Sequence, residues 1–188
     1  EGDIEVIELM VASLSLIGVE DITLSFGNTA IFNAICESAE LNNQDIASLR
    51  DIFRRKSIPD LTDFFDSKEI NHADKFHSLI SLDGDERILD KAAKIFKEFP
   101  TVIDAIKDLK KLHSFFKDSN LSLMFDLGEV KPSEYHNGLV FAAYHLNFSK
   151  ALAQGGRYNS LSESFGSSRD ATGFSFDLKF LIQQQLNS

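Results

Sequence analysis

Four consecutive residues, Gly155-Gly156-Arg157-Tyr158, carry the densest chemical signal in this chain. Two residues without a Cβ let a backbone come close to a small molecule. The arginine and tyrosine that follow at once add a fixed charge and a ring with a hydroxyl. Tyr135 and His136 are candidates for the same site. Each also has a plainer reading. Tyr158 and Tyr135 can be core aromatics with satisfied hydroxyls, His136 can face solvent, and Arg157 can be a structural ion-pair partner or a helix-start anchor. Nucleophilic catalysis has no support, because Ser160, Ser162 and Ser164 lack a partnered base. No metal is expected either. His72, His77, His113 and His145 show no ligand spacing. Asp83-Gly84-Asp85-Glu86 lacks the remaining positions of a calcium loop and reads as a capped helix start.

The elements that must position these residues can be read from periodicity. Asp3 to Gly18 is an amphipathic helix with Ile4, Ile7, Val11 and Leu14 on one stripe, Met10 and Ile17 beside it, and Gly18 at its C-terminal cap. Ile22 to Phe26 alternates as a strand, and Gly27-Asn28 turns the chain into a helix through Ile31, Phe32, Ile35 and Cys36. From Leu41 to Lys117 the pattern is helical throughout. Its apolar stripes are Ile46, Leu49, Ile52 and Phe53; Phe76, Leu79 and Ile80; Ile88, Ala92, Ile95 and Phe99; and Ile103, Ile106, Leu109 and Phe116. Pro100 ends one helix, and Thr101 to Asp104 resembles a capping box. After Asn120 the period becomes two. Leu121 to Leu127 and Leu139 to Phe148 read as strands, and their closeness in sequence favours antiparallel pairing. A short strand toward Gln154 and a final helix from Phe174 to Leu186 complete the chain. The expected fold is α+β, a mainly antiparallel sheet flanked by helices. A core over 1–40 and 118–188 would be split by a helical insertion over 41–117.

Bulk properties narrow the function classes. The 188 residues are enough for one domain, and 43% hydrophobic content allows a packed core. A net charge of -10 opposes a broad nucleic-acid footprint. The basic run Lys107 to Lys117 is interrupted by Asp108 and reads as a solvated helix face. No apolar run is long enough to span a bilayer, and the start shows no secretory leader. A single cysteine, Cys36, on a helical apolar stripe fits a reducing cytoplasm and a core position.

Several segments, in order, resemble the catalytic core of histidyl-tRNA synthetases, a class II aminoacyl-tRNA synthetase fold. Glu1 to Leu9 is similar to the helix after their second signature motif. Tyr135-His136-Asn137-Gly138-Leu139-Val140-Phe141 is similar to their Tyr-Tyr-Thr-Gly-Thr-Val-Phe stretch, which helps build the histidine pocket. Gly155 to Asn159 is close to their Gly-Gly-Arg-Tyr-Asp. On this resemblance Tyr135, His136, Gly155, Gly156, Arg157 and Tyr158 are candidate histidine-binding residues. The first two signature motifs are not in this sequence. The resemblance therefore implies that the N-terminal part of the fold is missing and that the chain is part of a longer protein.

Departures from the synthetase pattern redirect the function. Lys131-Pro132-Ser133-Glu134 stands where the family has Arg-Gly-Leu-Asp, and Phe180 stands where its third motif has a phosphate-binding arginine. Lysine keeps a charge without the planar fork, and phenylalanine has neither. Losing one preorganised donor costs roughly a hundredfold in rate. The chain also ends, at Ser188, where a synthetase would continue into an anticodon-binding domain. A synthetase-like core with altered adenylation positions, Lys131 and Phe180, resembles the regulatory subunit of ATP phosphoribosyltransferase, and the spelling from Ser168 to Leu178 suits that family better. That resemblance implies a cytoplasmic, non-catalytic subunit without cofactor. It would assemble with itself and with a short-form catalytic subunit that joins ATP to phosphoribosyl pyrophosphate, the first step of histidine biosynthesis. It would activate that glycosyltransferase and let histidine inhibit it, from the synthetase-like pocket or from the subunit interface. The alternatives are a fragment of an active histidyl-tRNA synthetase and a synthetase-like binding module with another partner.

Overall fold

A computed structural model describes residues 2–130, 138–158 and 171–185 of the chain. Helix α1 (Gly2–Leu16) buries Ile7, Met10 and Leu14, while Ile4 and Val11 are half-buried. Gly18 ends it with φ 77°, a left-handed turn that a Cβ would strain, and the Val19 amide closes the turn on the Leu14 carbonyl at 3.1 Å. Strand β1 (Thr23–Asn28) runs directly into α2 (Thr29–Ser38). Asn28 makes the change of direction, its side chain accepting the Ala30 amide at 3.0 Å.

Helices α3 (Asn43–Arg55), α4 (Ile58–Asp66) and α5 (Ala73–Leu79) follow, the first two capped by Asn42 and Ser57. They converge on phenylalanines: Phe53 meets Phe32 of α2 edge-on at 5.0 Å, and Phe65 and Phe76 extend the cluster. A two-residue strand, β2 (Asp83–Gly84), then interrupts the helical segment. It corrects the expectation of unbroken helix there. So short a strand has no alternation to read, and it exists because it pairs with β3 (Ser122–Asp126). Helices α6 (Arg87–Ile95) and α7 (Pro100–Phe116) complete the segment. The capping box expected at Thr101 is absent. Pro100 is already the first helical residue, Phe99 provides no side-chain cap, and Asp104 pairs with Lys107 instead.

Strands β4 (Leu139–Tyr144), β5 (Ala153–Tyr158) and β6 (Ala171–Phe176) and helix α8 (Leu178–Gln185) end the described chain. Phe174 to Phe176 is therefore strand, not the start of the last helix. The sheet order is β2-β3-β1-β4-β5-β6. Four of the five described pairings are antiparallel, and β1 with β3 is parallel. The expected pairing of the two runs after Asn120 does not occur, because β1 lies between β3 and β4. The helical segment is the long crossover that the parallel β1–β3 pair needs.

One cross-strand row runs over all six strands: Gly84, Phe125, Phe26, Phe141, Gly155 and Phe174. This face packs on helices. Phe26 stacks on Phe116 of α7 at 6.1 Å. Buried residues of the helical segment and of the sheet form one continuous apolar cluster. Lys56, just after α3, ties that helix to the sheet through Asp126 at 2.7 Å and Asp83 at 3.5 Å. Burial pushes the Asp126 carboxyl up, and the Lys56 ammonium opposes this without cancelling it.

Candidate functional site

The Gly-Gly-Arg-Tyr segment lies within strand β5, so its residues alternate between the two faces of the sheet. Gly155 and Arg157 face the helices. A Cβ on Gly155 would sit 2.3 Å from the Gly173 carbonyl oxygen and 2.6 Å from the Phe141 ring. The register explains this glycine, since Gly155 lies opposite Phe141 and Phe174 and the ring fills the space a side chain would need. Arg157 forms an ion pair with Asp3 at the start of α1, across the same face. It is a structural ion-pair partner that ties strand β5 to the start of α1.

Gly156 and Tyr158 face the other way. On that face a second cross-strand row reads Gly27, Val140, Gly156 and Gly173, from β1 through β4 and β5 to β6. Three of its four positions have no side chain. The row is a trough about 14 Å long, three strand spacings. Val140 is 1% exposed, and Gly27, Gly156 and the adjacent Ala142 are buried as well. Gln154 and Ser175 flank the trough on one side, Tyr158 and Ala171 on the other. A Cβ on Gly173 would meet nothing within 4 Å, so the β6 end is open among the described residues. A Cβ on Gly27 would come within 2.9 Å of the Glu129 Cβ and 2.8 Å of the Asp126 carbonyl oxygen, so the β1 end is closed. Tyr144 stands on the same face. Burial raises its hydroxyl above the ordinary range, and the negative charges of Glu129 and Asp126 raise it further.

The start of β4 is fixed from two sides. Gly138 donates its amide to the Thr29 hydroxyl at 3.0 Å, and the Thr29 amide donates to the Gly138 carbonyl at 2.9 Å. Lys131, Tyr135 and His136 lie outside the described residues. Phe180 lies near the start of α8, edge-on to Phe148 at 5.9 Å, with the Lys150 ammonium 4.2 Å from its ring centre. Lys150 is itself paired with Asp177 at 2.7 Å. A shallow cleft of about 550 Å³ runs beside them, lined by Lys150, Gln154, Ser175 and Asp177 among others.

The structure puts Gly156 and Tyr158 on one face of β5 and Gly155 and Arg157 on the other; sequence reasoning did not single out Gly27 and Gly173, which share the row of Gly156, or Glu129, which lies beside Gly27. Glycine inside a strand pattern was the available signal, because it marks close approach of something to the backbone. Nothing local marks Glu129.

Several other reactive groups among the described residues have structural explanations. Cys36 is buried, and burial pushes its thiol up to about 12, which leaves it without thiolate at neutral pH. His72 meets the Ser38 hydroxyl at 3.1 Å and the Phe99 ring edge-on. His145 accepts the Asn147 amide at 3.1 Å. Asp85 accepts the Arg87 amide and pairs with its guanidinium. Among the described residues no cluster of three His, Cys, Asp or Glu side chains could hold a metal, and no helix is long and apolar enough to cross a membrane.

Comparison with known proteins places this arrangement. Residues 1–181 match the family described as histidyl-tRNA synthetase. An ATP phosphoribosyltransferase regulatory subunit of Pseudomonas fluorescens is 36% identical over 186 residues, which cover 96% of this chain and 47% of that protein. The chain thus spans about half the length of the curated relatives it matches. A crystal structure described as an ATP phosphoribosyltransferase regulatory subunit/histidyl-tRNA synthetase from Bacillus halodurans superposes with TM-score 0.83 at 26% identity, over 95% of this chain and 48% of that one. A chain of the ATP phosphoribosyl transferase (HisG:HisZ) complex from Thermotoga maritima superposes with TM-score 0.67 at 19% identity, over 92% of this chain and 59% of that one, a likeness of fold.

Proposed function

The chain belongs to the histidyl-tRNA synthetase family, and within it we propose that this protein is a non-catalytic regulatory subunit of ATP phosphoribosyltransferase. What supports the proposal is the side-chain-poor row on the sheet combined with Phe180, which on the resemblance stands where the synthetases hold phosphate. The trough keeps Gly156 and Tyr158 on the sheet face away from the helices. At the phosphate position the side chain is a packed ring, and its neighbouring cation, Lys150, is already neutralised by Asp177. A ligand can therefore be held while the group that would activate it is lost. The relative from Pseudomonas fluorescens, which bears the regulatory-subunit name, supports the same choice.

In this reading the protein works in the cytoplasm and associates with itself and with a short-form catalytic subunit. Histidine occupies the trough. Residues 41–117 are an insertion into a core made of 1–40 and 118–188, joined to it by the shared apolar cluster. A bound ligand regulates only if it favours one state of the complex over another, by no more than its difference in affinity between them. The full-length protein, mixed with the short-form catalytic subunit, is expected to elute as one hetero-oligomer whose mass by light scattering exceeds that of either component. Two independent peaks at micromolar concentration would contradict the proposal.

A further inference from the structure

Helix α1 is apolar on two faces, and the described residues cover one of them. Ile7, Met10 and Leu14 are buried where α1 lies over β5 and β6. Leu9, Ala12 and Leu16 recur at helical spacing on the outward face. Leu9 is 58% exposed and Leu16 87%. No charged residue stands between Leu9 and Val19, although the chain carries a net charge of -10. The Ser13 hydroxyl, at the edge of this stripe, donates to the Leu9 carbonyl at 2.7 Å and needs no outside acceptor. A helix apolar all round belongs in an interior, and depletion of charge marks the core of an interface.

We propose that two copies of this chain associate through the outer stripe of α1, antiparallel about a two-fold axis at Ala12 and Ser13. The inference rests on the reading that the protein associates with itself, and it adds where. The stripe is its own complement. The axis sets Leu9 against the second copy's Leu16, and Leu16 against its Leu9, with small side chains between them. The antiparallel direction also separates the acidic helix starts, Asp3, Glu5 and Glu8, which a parallel pair would stack. It carries the exposed turn at Glu20 and Asp21 toward the other copy's helix start. Beside Ile4 there, a cleft of about 510 Å³ is lined by Lys107, Lys110, Lys111 and Phe115, whose ring is half exposed. Asp104, Asp90 and Asp108 pair with these lysines at the surface, where such pairs are worth little, so an acidic turn can share them. A stable dimer draws about 800 Å² from each partner. One helical stripe offers less, and the α7 cleft extends the contact.

The test uses the full-length protein and two readouts. Ala12→Cys places a thiol on the axis, and mild oxidation is expected to convert most of it to a disulfide-linked dimer. Asp66→Cys, exposed on α4, is the control and is expected to stay unlinked. Cys36 is buried and does not compete. Sedimentation equilibrium then compares wild type with Leu9→Glu/Leu16→Glu. Both positions are exposed, so the fold tolerates the change, and self-association is expected to weaken at least about 100-fold. Wild-type affinity in the double variant, with Ala12→Cys unlinked, would overturn the α1 surface and leave self-association through another face standing. A monomeric wild-type protein at micromolar concentration would overturn both.

Discussion

Gly155→Ala is expected to destabilise the protein by about 3 kcal/mol, at the upper end of what overpacking costs. A Cβ at this position has nowhere to go. It would sit 2.3 Å from the backbone oxygen of Gly173 and 2.6 Å from two ring carbons of Phe141. The oxygen belongs to the neighbouring strand, so relief requires β5 and β6 to separate. The ring is 2% exposed and lies in the central phenylalanine row. Moving it would disturb Phe26 beside it. Gly173→Ala is the matching control. Its Cβ meets nothing within 4 Å among the described residues, and the change is expected to stay within about 0.5 kcal/mol of wild type. Urea unfolding of both variants checks the pair. Equal midpoints would show that packing does not require a glycine at 155.

Histidine-dependent exchange between ATP and pyrophosphate is expected to be at least about 10⁴-fold slower in the full-length protein than in a synthetase. Each lost preorganised donor costs roughly 10²- to 10³-fold, and the resemblance to the synthetases implies that two positions have changed. At one of them, Phe180 fills the space with a ring that packs on Phe148. Lys150 cannot stand in for the missing guanidinium without leaving Asp177, and a lysine supplies no bidentate fork. The other is Lys131. An exchange rate within tenfold of a synthetase would favour the reading of the chain as part of an active histidyl-tRNA synthetase.

Local chemistry made part of this architecture legible. Gly18 as a left-handed cap, the strand leading to Asn28, and the stripes through Leu49, Phe53, Leu79 and Leu109 all depend on neighbours a few residues away. What stayed hidden depends on partners far along the chain. The alternating runs after Asn120 look like a hairpin until β1 slides between them. The run from Phe174 to Leu181 has apolar spacing that a helix can accommodate, and only pairing with β5 makes its first residues a strand. Gly155 and Gly156 read alike in sequence. Their opposite faces come from the one-residue alternation of β5. Register likewise brings Glu129 beside Gly27 and leaves Arg157 facing Asp3.

The central claim is regulatory, so the most direct measurement is turnover of the short-form catalytic subunit with and without the full-length protein, across a histidine titration. The account predicts faster turnover when the two are mixed, falling as histidine rises. Histidine should require a higher concentration to inhibit when the regulatory chain carries Tyr158→Ala. Superimposable curves with and without the protein, at every histidine concentration, would contradict it.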